Sequence, residues 1–151
     1  VPYDPGKLSV IAYNVDGQPI ANDEKETTGT PVALRLRPEN ADDLAANGQD
    51  LALFTCYAVD AAGKEVPDAS PMVSFSVSRG ARLIGTGSDI ADRTPPESPD
   101  RKMRAGKITI AVLPAAPQQK SGEKTDSVSL TLFAESTGLA TGVLTVEIPV
   151  K

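Results

Sequence analysis

The sequence predicts an all-β protein, an antiparallel sandwich carrying an extra strand segment at its N-terminal end. Three observations point there. Apolar and polar residues alternate at period two in one segment after another, and turn-forming Gly, Pro, Asp and Asn recur about every ten residues. Nowhere do apolar residues repeat at i, i+3, i+4 and i+7 over a length that would make an amphipathic helix.

The elements follow in order. Leu8, Val10 and Ala12 alternate with Ser9 and Tyr13 before Asp16-Gly17, a tight-turn pair that returns the chain from Pro19 to Thr28. Val32, Leu34 and Leu36 alternate with Ala33, Arg35 and Arg37 until Pro38 and the run ENADDLAANG break the pattern. Within that run Asn40 could cap one turn of helix over 41–46, and no more. Further strands are expected at 51–60, 72–78, 81–85, 107–113, 127–135 and 142–150, nine in all. Val73, Phe75 and Val77 oppose Ser74, Ser76 and Ser78, giving one apolar and one hydroxyl face. Leu51, Leu53 and Val59 flank Phe54 and Cys56 in a run apolar on both faces, as in a central strand covered on both sides. Two inner faces then come from Val128, Leu130, Leu132 and Ala134 and from Ile108, Ile110 and Val112 with Leu144, Val146 and Ile148.

Two connections stand out. Residues 86–106 carry Pro95, Pro96 and Pro99 among eight charged side chains, too long for a simple hairpin, and a loop of that length is functional or disordered. The polar insertion PAAPQQKSGEKTD at 114–126 reads as a mobile surface loop.

At 151 residues the chain can hold a proper core, since a domain of this length buries about 70% of its extended surface. Fifteen basic against twenty acidic residues, net −5 with both signs interspersed, leave no basic stripe for nucleic acid and no polybasic anchor for a membrane. No apolar run approaches the roughly 18 residues of a spanning helix, and VPYDPGK lacks the apolar core of a signal peptide. A start at Val1 suggests a piece of a longer polypeptide.

The absence of histidine excludes Ser-His, Cys-His and His-ligated zinc constellations, and with it the commonest general base near neutral pH. Cys56 is the only cysteine, so no intrachain disulfide can form, and within its apolar run it reads as a buried small hydrophobe rather than a nucleophile. Asp16, Asp60, Asp68 and Glu123 fall in predicted turns, where turn formation and solvation account for them. A sugar platform needs flat aromatic faces; the chain has no Trp, and Phe54, Phe75 and Phe133 lie in core strands, which leaves Tyr3, Tyr13 and Tyr57 as candidate sugar contacts or packing residues. Asp89, Asp92 and Asp100 could contribute to a Ca²⁺ site, although no spaced acidic loop accompanies them. No catalytic residue, cofactor or metal ligand is assigned.

A combination of segments carries a family resemblance: Gly48-Gln49-Asp50-Leu51 opening a strand, Val59-Asp60 with Gly63, Val66-Pro67-Asp68-Ala69, Val73 to Val77, Gly85 with Gly87, and Arg101-Lys102 ahead of Gly106. Together they resemble the C-terminal immunoglobulin-like domain of bacterial glycoside hydrolase family 2 enzymes, the β-galactosidase group. Upstream, VPYDPGKLSVIAYNVDGQPI is similar to the closing strands of the immunoglobulin-like domain that precedes it in such enzymes. The resemblance implies two units, residues 1–38 and an immunoglobulin-like sandwich at 39–151. Where the family holds Asn-Gly-Asp and a His, this chain has Gly87-Ser88-Asp89-Ile90 and DRTPPESPD.

Enzymes of this family are similar in using two glutamates at the mouth of a (β/α)₈ barrel, set about 5 Å apart for retaining chemistry. The resemblance therefore implies a non-catalytic accessory domain whose partners are the catalytic and neighbouring domains of a parent hydrolase, in a bacterial periplasm or outside the cell. The N-terminal strands would pair with the main domain or with a second copy, making a homo-oligomer. Two other functions remain open on the residues alone: a carbohydrate-binding module, and an adhesin-type spacer of a surface protein.

Overall fold

Period-two patterning becomes ten strands and no helix among the described residues of the computed structural model, which are 5–40, 44–116 and 126–150. The strands are β1 (Lys7–Tyr13), β2 (Pro19–Glu26), β3 (Ala33–Pro38), β4 (Ala52–Val59), β5 (Met72–Val77), β6 (Ala81–Gly87), β7 (Asp100–Lys102), β8 (Lys107–Pro114), β9 (Ser127–Glu135) and β10 (Gly142–Pro149). They form a β1-β2 hairpin and two four-stranded sheets, β3-β4-β8-β6 and β10-β9-β5-β7. Every ladder is antiparallel; one isolated parallel bridge, Ala33 to Ala140, links the rims of the two sheets.

The core lies between the sheets. Leu34, Phe54, Cys56, Ile108, Ile110 and Val112 from one meet Val73, Phe75, Leu130, Leu132, Ala134 and Ile148 from the other, all buried. Alternation decides which residues enter it, because successive side chains on a strand point to opposite faces. Ser74 and Ser76 accordingly face solvent between buried Val73 and Phe75. Phe133 obeys the same rule and turns to the outer face of β9, where it is half-buried opposite Val143.

The division expected after residue 38 is not where the strands divide. β3 pairs with β4 along its whole length, Leu34 with Ala58 and Leu36 with Cys56, so it belongs to the sandwich. The strands left outside are β1 and β2, which pair with each other and expose every residue. The expectation for β4 also changes. It is central in its sheet, with Phe54, Cys56 and Ala58 pointing inward, but its other face is only partly covered: Leu51 and Leu53 are exposed, whereas Thr55 and Val59 are buried. An apolar run on both faces can therefore mark an outer face that is covered only in part.

Residues 44–46 of the expected helical turn are non-helical, and burial explains them instead: Leu44 and Ala46 plug the end of the core, with the Ala46 N–H bonded to the Pro149 carbonyl. Most of the 114–126 insertion, residues 117–125, lies outside the described residues. At the β7–β8 turn, Gly106 has a φ of +69°, and an added Cβ would stand 2.3 Å from the Val66 carbonyl oxygen. Only glycine fits there without displacing backbone.

Candidate functional site

The 86–106 connection is an ordered structure organised by one side chain. Arg101 sits on β7 opposite Val73 and points inward, 2% exposed, across to β6 of the other sheet. All five of its N–H groups are used. Nε donates to Thr86 Oγ1 at 2.9 Å; one terminal nitrogen donates to Asp92 Oδ2 at 2.7 Å and the Thr94 carbonyl at 2.9 Å; the other donates to the Thr86 and Pro95 carbonyls at 2.7 and 2.8 Å. A planar five-donor fork can gather acceptors from two sheets and a loop at once.

Backbone bonds complete the fastening. The Thr86 N–H reaches the Pro96 carbonyl at 2.7 Å, its hydroxyl donates to the Ser98 carbonyl at 2.8 Å, and the Phe75 N–H reaches the Pro99 carbonyl at 2.9 Å. Asp92 accepts from the Thr94 N–H, Arg101 and the Ser88 hydroxyl, and these bonds, the Thr94 one foremost, hold its carboxyl well below the ordinary aspartate range. A carboxylate so fixed in its ionised form cannot donate a proton near neutral pH.

Asp60, Asp89 and Asp100 are likewise engaged. Asp89 caps the Ala91 N–H and pairs with Arg104, and Asp100 accepts from the Ser74 hydroxyl. Asp60, 6% exposed, accepts from the Ala62 and Lys64 N–H groups on Oδ1 and from the Gly29 N–H on Oδ2; the Gly29 bond leads the lowering of its pKa. Among the described residues no group of three or more potential metal ligands comes together. Burial pushes the Cys56 thiol up to about 12, which removes its nucleophilic thiolate.

Tyr13 and Tyr57 are not gathered onto a shared element. Tyr3 lies outside the described residues, and Glu123 with it. Tyr13 ends β1 beside the hairpin turn and is exposed, while Tyr57 stands in mid-β4 on the outer face of the sandwich. The Arg37 guanidinium lies 5.2 Å from the Tyr57 ring centre and also pairs with Glu39 and Glu65; Glu65 pairs in turn with Lys107. This network covers the ring with charge. A shallow cleft of about 710 Å³ opens where the hairpin meets the sandwich, between Pro5, Thr30 and Pro31 on one side and Pro67 and Asp68 on the other, with no aromatic ring in its walls.

Sequence reasoning missed β7 and the role of Arg101. A charged residue at an inward position breaks hydrophobic patterning; the one signal was the period-two step from Arg101 to Met103, both buried.

These features define an immunoglobulin-like β-sandwich module with an appended hairpin, in which Asp60, Asp89 and Asp92 are committed to turns and ion pairs. Residues 34–145 match the family described as glycoside hydrolase family 2 C-terminal domain 5, and the chain belongs to that family. It is 35% identical over 85 residues to the β-galactosidase BoGH2A of Bacteroides ovatus, a match covering 56% of this chain and 10% of that protein. It is 34% identical over 79 residues to a β-glucuronidase of Formosa agariphila, covering 52% of this chain and 8% of that protein. A solved glycosyl hydrolase family 2 member from Bacteroides cellulosilyticus superposes with a TM-score of 0.80 at 25% identity, over 98% of this chain and 18% of its own. The matched segments thus span a small fraction of each relative, and the structural match takes in the hairpin as well as the sandwich.

Proposed function

We propose that this chain is a non-catalytic structural module of a family 2 glycoside hydrolase, and that the parent acts on a β-glycoside through a catalytic centre elsewhere in its polypeptide. The observation that carries this is membership of a C-terminal domain family by a chain spanning only 10% of a β-galactosidase and 8% of a β-glucuronidase. The carboxylate chemistry supports it, because Asp60 and Asp92 are held ionised by hydrogen bonds rather than poised as an acid and base.

The hairpin extends the proposal to partners. Leu8, Val10, Ile11, Tyr13 and Ile20 are all largely exposed, and an isolated two-stranded hairpin is marginal in water. We assign it to a neighbouring domain of the parent, whose core would cover these side chains; pairing with a second copy is the competing outcome.

The test compares the parent enzyme with and without residues 33–151, and the isolated chain, against aryl β-galactosides and β-glucuronides. The expected result is no turnover by the isolated chain and a thermally weakened but active truncated parent. Turnover by the isolated, mass-verified chain would overturn the reading.

A further inference from the structure

We infer that the turn after β4, centred on Asp60, is a rigid joint that fixes the orientation of the β1-β2 hairpin relative to the sandwich. Asp60 needs only Oδ1 to close its own turn, through the Ala62 and Lys64 N–H groups at 2.9 Å each. Oδ2 is left over and receives the Gly29 N–H at 2.8 Å, from a segment 31 residues earlier in the chain. The same turn makes a second contact, now on the hairpin itself, where Lys64 pairs with Glu26, the last residue of β2.

Two grips at different points hold an orientation, whereas one would hold only an attachment. The segment between hairpin and sandwich leaves little freedom to escape them. On the hairpin side the Thr27 N–H bonds to the Gly6 carbonyl at 2.9 Å and the Gly6 N–H to Thr27 Oγ1 at 3.0 Å. On the sandwich side the Val32 N–H bonds to the Val59 carbonyl at 2.8 Å, and its own carbonyl receives the Ala140 N–H at 2.9 Å. Thr28 alone separates the residue tied into the hairpin from the residue tied to Asp60, and Pro31 fixes one backbone angle of the remainder. A six-residue connection that composition would leave as a hinge is thereby immobilised. Asp60 acts here as a positioning residue, and whatever unit the hairpin belongs to inherits the orientation.

The inference is read on this chain alone, so its failure is separable from failure of the hydrolase reading. Residual dipolar couplings measured on the 151-residue chain report whether hairpin and sandwich share one alignment, and cross-strand contacts such as Val10 to Asp23 report that the hairpin stays paired. In the wild type, one alignment is expected to fit both. Asp60→Asn keeps an oxygen for the two turn donors but sets an amide NH₂ against Gly29; hairpin couplings should shrink about twofold or more relative to the sandwich, as for a loosely tethered body. Inserting two glycines between Thr28 and Gly29 leaves the sandwich untouched and should do the same, which covers the case of a poorly folding Asp60 variant. Independent or frayed hairpin motion in the wild type overturns the inference. So do couplings unchanged in Asp60→Asn, or in the insertion if the Asn variant fails to fold.

Discussion

Arg101 on β7 and Asp92 in the loop after β6 form an ion pair of 2.7 Å whose side chains are 2% and 10% exposed, closing the gap between the two sheets at one edge of the sandwich. Burying an arginine is costly unless every donor is met, and here each N–H has an acceptor. The long polar loop is thus ordered from beneath rather than by an apolar core of its own.

Removing this side chain should be among the more damaging single changes outside the apolar core. Arg101→Ala strips the loop of its common donor and leaves Asp92 without its cation, and the expected loss is about 3–5 kcal/mol by urea unfolding followed by circular dichroism. Arg101→Lys should recover only part, since an ammonium has three donors and no fork. Equal stability of all three proteins would show that the loop does not depend on the staple.

The same pair sets an acid limb. Asp92 titrates below its unfolded value because Thr94 and Arg101 favour the carboxylate. The stabilisation is fully present above the ordinary aspartate pKa of about 3.9 and is lost as pH falls from there toward the lowered native value, where the unfolded chain takes up a proton that the folded one refuses. Thermal midpoints should therefore drop more steeply below about pH 4 in the wild type than in Asp92→Asn. Parallel curves would assign the acid limb to other carboxylates.

Cys56 offers a clean reporter of unfolding. Fully buried, with a thiol pushed up to about 12, it should resist a disulfide reagent at pH 8 in the native chain and react at once in denaturant. Labelling in the native state at the rate of a free thiol would contradict the placement of β4.

Gly106→Ala tests the turn that follows β7. A Cβ there meets the Val66 carbonyl oxygen at 2.3 Å, in a backbone conformation that disfavours L side chains. The strain and the displaced backbone should cost about 2 kcal/mol or more, read as a lowered unfolding midpoint with an unchanged denaturant slope. Gly63→Ala, with a φ of +79° but open space around it, should cost less.

Much of the fold was legible because period-two alternation reports directly on burial. Val73, Phe75, Leu130, Leu132, Ile108 and Ile110 all face the core as their spacing requires, and Asp16-Gly17 makes the hairpin turn with Gly17 at a φ of +76°. What misled was chemistry that alternation does not encode. β7 escapes alternation because its inward residue is an arginine, and β3 reads with the hairpin because sequence proximity does not say which strand a segment will pair with. The tyrosines show the same limit: their ring chemistry allows sugar contact or packing, and alternation does not say that the strands carry Tyr13 and Tyr57 into different sheets.

The sequence by itself determined the all-β class, most strand positions, the burial of Cys56 and the kinship with family 2 hydrolases, since these depend on local alternation, turn chemistry and motif order. Tertiary structure decided that Arg101 faces inward, that Asp60 reaches Gly29 from 31 residues away, and that the hairpin stands outside the sandwich. Each of those depends on which distant acceptors a donor meets after the sheets have packed, and no local pattern carries that information.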